Sequence, residues 1–149
     1  MSLEKKIMDA MKTAMRAKDQ MALAALRAIK SELILAKTSG SSEELTETDE
    51  NRILQKLVKQ RKESASIFTE QNREDLATPE LEQAKVISQF LPAQMSQDEV
   101  AKVVEEVIAQ TGASSMKDMG KVMGMVNGKL AGQSDSKTIS GIVKAKLSN

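Results

Sequence analysis

The chain has 149 residues, with 22 Lys and Arg against 21 Asp and Glu for a formal charge of +1, and it contains no Cys, His, Tyr or Trp. That composition excludes disulfides, thiolate or imidazole zinc sites, and nucleophiles activated by histidine. Its 40% hydrophobic and 29% charged content belongs to a folded chain and not a disordered one.

Every periodic segment reads as helix and none as strand, so the chain is predicted to be all-α. The first helix is expected over 2–18, with Leu3, Ile7, Ala10, Met11, Ala14 and Met15 on one face. Asp19 caps the second, which buries Ala22, Leu26, Ile29, Leu33 and Ala36. A polar loop of turn-forming residues follows at 38–44. The third helix covers 46–71 with the stripe Ile53, Leu57, Ser64 and Phe68; Arg61 and Ser64 stand where apolar groups belong. Arg61 is expected to pair with a carboxylate, Asp75 or Glu80, and so tie this helix to the next. Thr78-Pro79 reads as a cap and first helical residue. The fourth helix then presents Leu81, Ala84, Ile87 and Leu91, and Pro92 stops it.

Beyond the proline, Ser96 and Glu99 form a capping box ahead of Val100, Val103, Val104, Val107 and Ile108, and Gly112 closes the helix. Ser115 and Asp118 give a second capping signature. It opens a helix over 116–132 whose core stripe is Met119, Val122, Met123, Val126 and Leu130, with Gly132 as its C-cap. A turn at 132–136 leads to a last helix burying Ile139, Ile142, Val143 and Leu147. The predicted architecture is therefore an N-terminal four-helix bundle, 1–92, and a C-terminal three-helix domain, 93–149. A core of the second domain's size is marginal without support. The methionines, ten in all, fall at helical spacing and read as core filler.

Gly120, Gly124 and Gly128 recur every four residues, and Gly124 and Gly128 lie opposite the apolar stripe of their helix, where a glycine costs about 1 kcal/mol relative to alanine. Gly141 repeats the arrangement in the last helix between Lys137 and Lys144. Charge is uneven along the chain. Residues 1–92 carry fifteen cations and fifteen anions, whereas 116–149 carry six lysines against Asp118 and Asp135, a net of +4. The candidate nucleic-acid-binding residues are accordingly Lys117, Gly120, Lys121, Gly124, Gly128, Lys129, Lys137, Gly141 and Lys144. Bare backbone admits phosphates and lysines supply counter-charge. The two phenylalanines, Phe68 and Phe90, build no stacking platform, so recognition would be of backbone and shape. The same glycine face equally suits a partner helix, and a protein–protein adaptor stands as the second reading.

No catalytic residue, metal ligand or cofactor site is assigned, and no enzymatic activity is expected. The apolar runs fall short of the roughly 18 residues of a membrane span, and the N-terminus lacks a secretory apolar core. A cytoplasmic protein is expected.

A resemblance emerges from these residues in this order: Arg27 with Ile29-Lys30-Ser31; Gln60-Arg61-Lys62-Glu63-Ser64 with Phe68; Arg73, Asp75-Leu76 and Glu80; Phe90-Leu91-Pro92 with Gln94; Ser96 and Glu99; Gly112-Ala113; Met119-Gly120-Lys121-Val122-Met123-Gly124; then Leu130, Gly132 and Asp135. They resemble the GatB/YqeY family along the whole chain. Phe90 stands where tyrosine is more usual, and Ser136 where glycine is. The resemblance implies one four-helix and one three-helix bundle. It also implies kinship with the C-terminal tail of the B subunit of the tRNA-dependent amidotransferase. That tail holds tRNA while a separate domain carries the pocket. A role linked to that carbon–nitrogen ligase, which takes its amido group from glutamine, is a further alternative.

Overall fold

The computed structural model describes residues 2–40 and 44–148. Every regular element among them is helical. The chain divides into two compact units, Met1–Leu91 and Pro92–Asn149.

In the first unit α1 (Leu3–Arg16) is capped by the Ser2 hydroxyl, which accepts from the Lys5 N–H at 3.2 Å. Asp19 caps α2 (Gln20–Ser39) by accepting from the Ala22 N–H at 3.0 Å. α2 runs on into the segment expected as a loop, and residues 41–43 of that segment lie outside the described ones. Thr46 and Asp49 form a reciprocal capping box at the start of α3 (Glu47–Glu70). Ile7, Leu26, Ile29, Leu54 and Ile87 are sealed in the core. α3 and α4 (Glu74–Ser88) make the most extensive pairing; α2 packs on both, and α1 packs on α2.

Four expectations for this unit are corrected. α4 begins at Glu74, four residues before Thr78, so Pro79 lies inside the helix. The reversal between α3 and α4 is tight: Asn72 takes the left-handed φ of 59°, and the N–H groups of Gln71 and Arg73 return to carbonyls of the last α3 turn. Two acidic residues, Glu74 and Asp75, then favour the helix start electrostatically. The carbonyl that Pro79 leaves without a donor is that of Asp75, on an exposed residue in the first turn, where water can serve it. Leu81, expected in the core, is 49% exposed, and Leu91 lies past the helix end. The buried stripe of α3 runs through Asn51, Leu54, Leu57, Val58 and Ala65, with Ile53 and Phe68 half-buried beside it. The stripe is thus turned by about one residue from the expected one, and Arg61, one turn from both Leu57 and Ala65, still falls on it and is half-buried. The Arg61 Nε donates to Gln83 Oε1 at 3.2 Å and its Nη1 to the Leu57 carbonyl at 3.3 Å. The α3–α4 tie exists, but its acceptor is an amide, while Asp75 is held by Arg73 through two 3.0 Å contacts.

In the second unit Ser96 caps α5 (Gln97–Thr111), accepting from the Glu99 N–H at 3.2 Å, and Gly112 closes it in the left-handed region at φ 69°. Ser115 and Asp118 form the second capping box. It opens a short 3-10 turn, Met116–Asp118, which leads into α6 (Met119–Lys129). The glycine helix is therefore shorter than expected at both ends. Leu130 is its C-cap, and Gly132, at φ 79°, makes the turn beyond it. Asp135 caps α7 (Ser136–Leu147), accepting from the Thr138 N–H at 2.7 Å. Val100, Val104, Val107, Val122, Val126, Ile139 and Val143 are fully sealed in a core without aromatics. α5, α6 and α7 each pack on the other two. The entering segment is pinned to the α6–α7 turn, Gln94 Nε2 donating to the Gly132 carbonyl at 2.6 Å and the Met95 N–H to the Gln133 carbonyl at 2.8 Å.

Candidate nucleic-acid interface

Helical geometry places each candidate residue. Successive residues of a helix are about 100° apart. Val122 and Val126 mark the core-facing side of α6; Gly120, Gly124 and Gly128 fall on the far side, with Lys121 beside them. All four are exposed. A Cβ added at Gly120, Gly124, Gly128 or Gly141 would meet nothing within 4 Å. Close packing inside the chain therefore does not account for these glycines.

In α7 the core-facing residues are Ile139, Val143 and Leu147. Gly141, Lys137 and Lys144 lie opposite, all exposed. Two contacts fix which flank of each helix faces α5. The Lys129 Nζ donates to Gln110 Oε1 at 3.4 Å, and the Lys146 Nζ lies 2.5 Å from Glu105 Oε1. The flanks opposite these contacts bring Gly120 and Gly124 of α6 to the same side as Lys137, Gly141 and Lys144 of α7, along the seam between the two helices. Lys121 and Gly128 point straight out from α6, and Lys117 precedes it on the 3-10 turn. Lys129 is the exception among the candidates, drawn toward α5 and away from the seam.

The electrostatics of this unit are segregated. The outer face of α5 carries Asp98, Glu105 and Glu106 with Lys102, all exposed. The two acids of 116–149 serve as caps: Asp118 accepts from the Ser114 and Ser115 N–H groups, and Asp135 from Thr138. Lys117, Lys121, Lys137 and Lys144 form no ion pair among the described residues. The hydrogen bond from Lys146 holds the Glu105 carboxyl below the usual carboxylate range. Sequence reading overlooked this acidic face, although the spacing of Asp98, Glu105 and Glu106 along one helix could have revealed it.

No group of three Asp or Glu able to hold a metal ion occurs among the described residues. No helix there is long and apolar enough to cross a membrane. In the first unit, a groove of about 450 Å³ is lined chiefly by Ala10, Ala14, Ala17, Leu26, Val86 and Phe90. Its one carboxylate, Asp19, is committed to capping α2. That lining offers no acid–base pair.

Comparison with known proteins adds three findings. A family model described as Yqey-like protein matches residues 4–147. A relative from Meyerozyma guilliermondii, named altered inheritance of mitochondria protein 41, mitochondrial, is 39% identical over 88 residues, covering 55% of this chain and 44% of its own length. A relative of the same name from Clavispora lusitaniae is 30% identical over 125 residues, covering 81% of this chain and 72% of its own. The chain thus spans less than half of the first relative and nearly three quarters of the second. Both relatives are named as mitochondrial, which corrects the expected cytoplasmic placement. The features used for it, missing cysteine and no secretory core, do not separate one reducing compartment from another.

Proposed function

The chain belongs to the Yqey-like protein family, and on that premise we propose that it is a non-catalytic accessory protein that binds RNA, tRNA foremost. The observation that carries this reading is the exposed lysine and glycine face of α6 and α7, where Lys117, Lys121, Lys137 and Lys144 form no ion pair among the described residues. On this reading the first unit is a four-helix bundle, 1–92, and the second is the three-helix RNA-binding domain, 93–149. Lys117, Lys121, Lys137 and Lys144 meet phosphates, while Gly120, Gly124, Gly128 and Gly141 let the strand approach the main chain; Lys129, turned toward α5, is left out of the contact. The absence of His and Cys and the lone, capping carboxylate of the first-unit groove support a role without chemistry.

The test is tRNA affinity across a salt series. Four phosphate contacts give a log–log slope of about −4, using the duplex-DNA rule of about 0.9 per contact. A flat response, or no binding at micromolar protein, contradicts the reading.

A second reading is favoured by Met116 and Met125, both exposed near the glycines. There, the α6 face receives a helix of a protein partner, since bare backbone and thioethers both suit adaptable packing. Capture of partners after nuclease treatment separates the two: an adaptor keeps them, and an RNA bridge loses them. A part in tRNA amidation is tested by adding the chain to a glutamine-dependent amidotransferase acting on mischarged tRNA. An unchanged rate removes that alternative.

A further inference from the structure

We propose that the RNA element taken by the second unit is a double-stranded stem, gripped on its backbone from one side, with α5 turned to solvent; this rests on the RNA reading above. Three observations converge on it. The first is chemical. Residues 93–149 contain no aromatic and no arginine: Phe68 and Phe90 and all five arginines precede them. Single strands are held by stacking bases on aromatic rings within a cationic groove. Base edges are read best by planar, forked side chains. This unit has no stacking ring and no guanidinium, and lysine is a point charge suited to phosphates.

The second observation is the spread of charge. Lys137 and Lys144 stand on α7, Lys121 on α6 and Lys117 just before it. Paired helices lie about 8–10 Å apart. The cations are therefore spread over two helices and do not follow a single line. A rigid stem presents phosphates at fixed places across such a face, and double-stranded RNA is recognised mostly through shape and backbone. A flexible single strand must lose conformational freedom to follow scattered points, with no stacking to offset that loss.

The third is the acidic side. Asp98, Glu105 and Glu106 line α5, and Glu105 draws Lys146 toward them. Polyanion contact on that side is repulsive, so the ligand is engaged on the α6–α7 face and is not wrapped. One-sided engagement suits a stiff cylinder better than a coil.

The experiment titrates the full chain with a blunt RNA stem of about 16 base pairs, a shuffled stem of equal length, and one strand alone. The stems are expected to bind equally and at least about tenfold more tightly than the single strand. The double variant Lys137→Gln/Lys144→Gln, both positions exposed, is expected to weaken stem binding and lower its salt slope by about two. Equal or tighter binding of the single strand overturns the stem assignment while leaving RNA binding in place. So does a strong preference between the two stems. Failure of every RNA to bind overturns the RNA reading itself.

Discussion

Glycines with the same identity do opposite work in this chain. Gly112 sits at φ 69°, where a side chain is strained, and Gly124 sits on an open helical surface. Gly112→Ala is expected to destabilise the protein by about 1 kcal/mol, and Gly124→Ala to stabilise it by up to about 1 kcal/mol, in chemical denaturation. If RNA approaches the main chain, Gly124→Ala also weakens its binding, so that stability and affinity move apart. Adjacent carboxylates are likewise opposed. Backbone and side-chain hydrogen bonds from Thr46 hold Asp49 below its ordinary range, whereas burial, reinforced by Glu47, pushes Glu50 above its own. A depressed acid contributes stability above its unfolded value and loses it as pH falls through the folded one. A raised acid contributes stability at low pH and loses it as pH rises. Asp49→Asn is therefore expected to lower the melting temperature at neutral pH, and Glu50→Gln to raise it. Both effects vanish in melts below the carboxylate range. The glycine pattern was legible in the sequence because it breaks a helical period. The Arg61–Gln83 contact was not, because which α4 residue the arginine reaches depends on how α3 and α4 pack.

Local capping chemistry fixed most helix starts in the second unit, and it was readable because each cap is a short-range bond. Ser96 and Ser115 cap as their spacing implied, and Asp135, expected only within a turn, caps α7. Ser96→Ala is expected to cost about 1 kcal/mol, measured by denaturant titration, since the Glu99 N–H loses its acceptor. The start of α4 was misread for a physical reason. Pro79 is favourable at a first helical position, but it is tolerated one turn further in when the orphaned carbonyl faces water. The tight Asn72 reversal, which depends on tertiary pairing of α3 with α4, overrode the local signal. The α6–α7 seam was equally beyond the sequence. Which flanks of two helices meet depends on their packing against α5, and the Lys129 and Lys146 contacts reveal it only once the three helices are assembled.

Charge balance near zero conceals a second unit whose α6–α7 side is cationic and whose α5 side is acidic. A field of that kind orients a polyanion as well as attracting it. The unit rests on a valine-rich core without aromatics, so it has little stability to spare. Ile139→Ala, at a fully buried site, is expected to cost about 2–5 kcal/mol. If the two units are independent domains, it abolishes RNA binding while circular dichroism retains the helices of the first. Loss of all helical signal would show that they fold as one. The central claim, that the lysine-bordered face of α6 and α7 receives RNA, is tested most directly by amide chemical-shift mapping with added tRNA. Perturbations are expected at Lys117, Gly120, Lys121, Gly124, Gly128, Lys137, Gly141 and Lys144, with Asp98, Glu105 and Glu106 undisturbed. Shifts confined to α5 or to the first unit, or none at all, would contradict it.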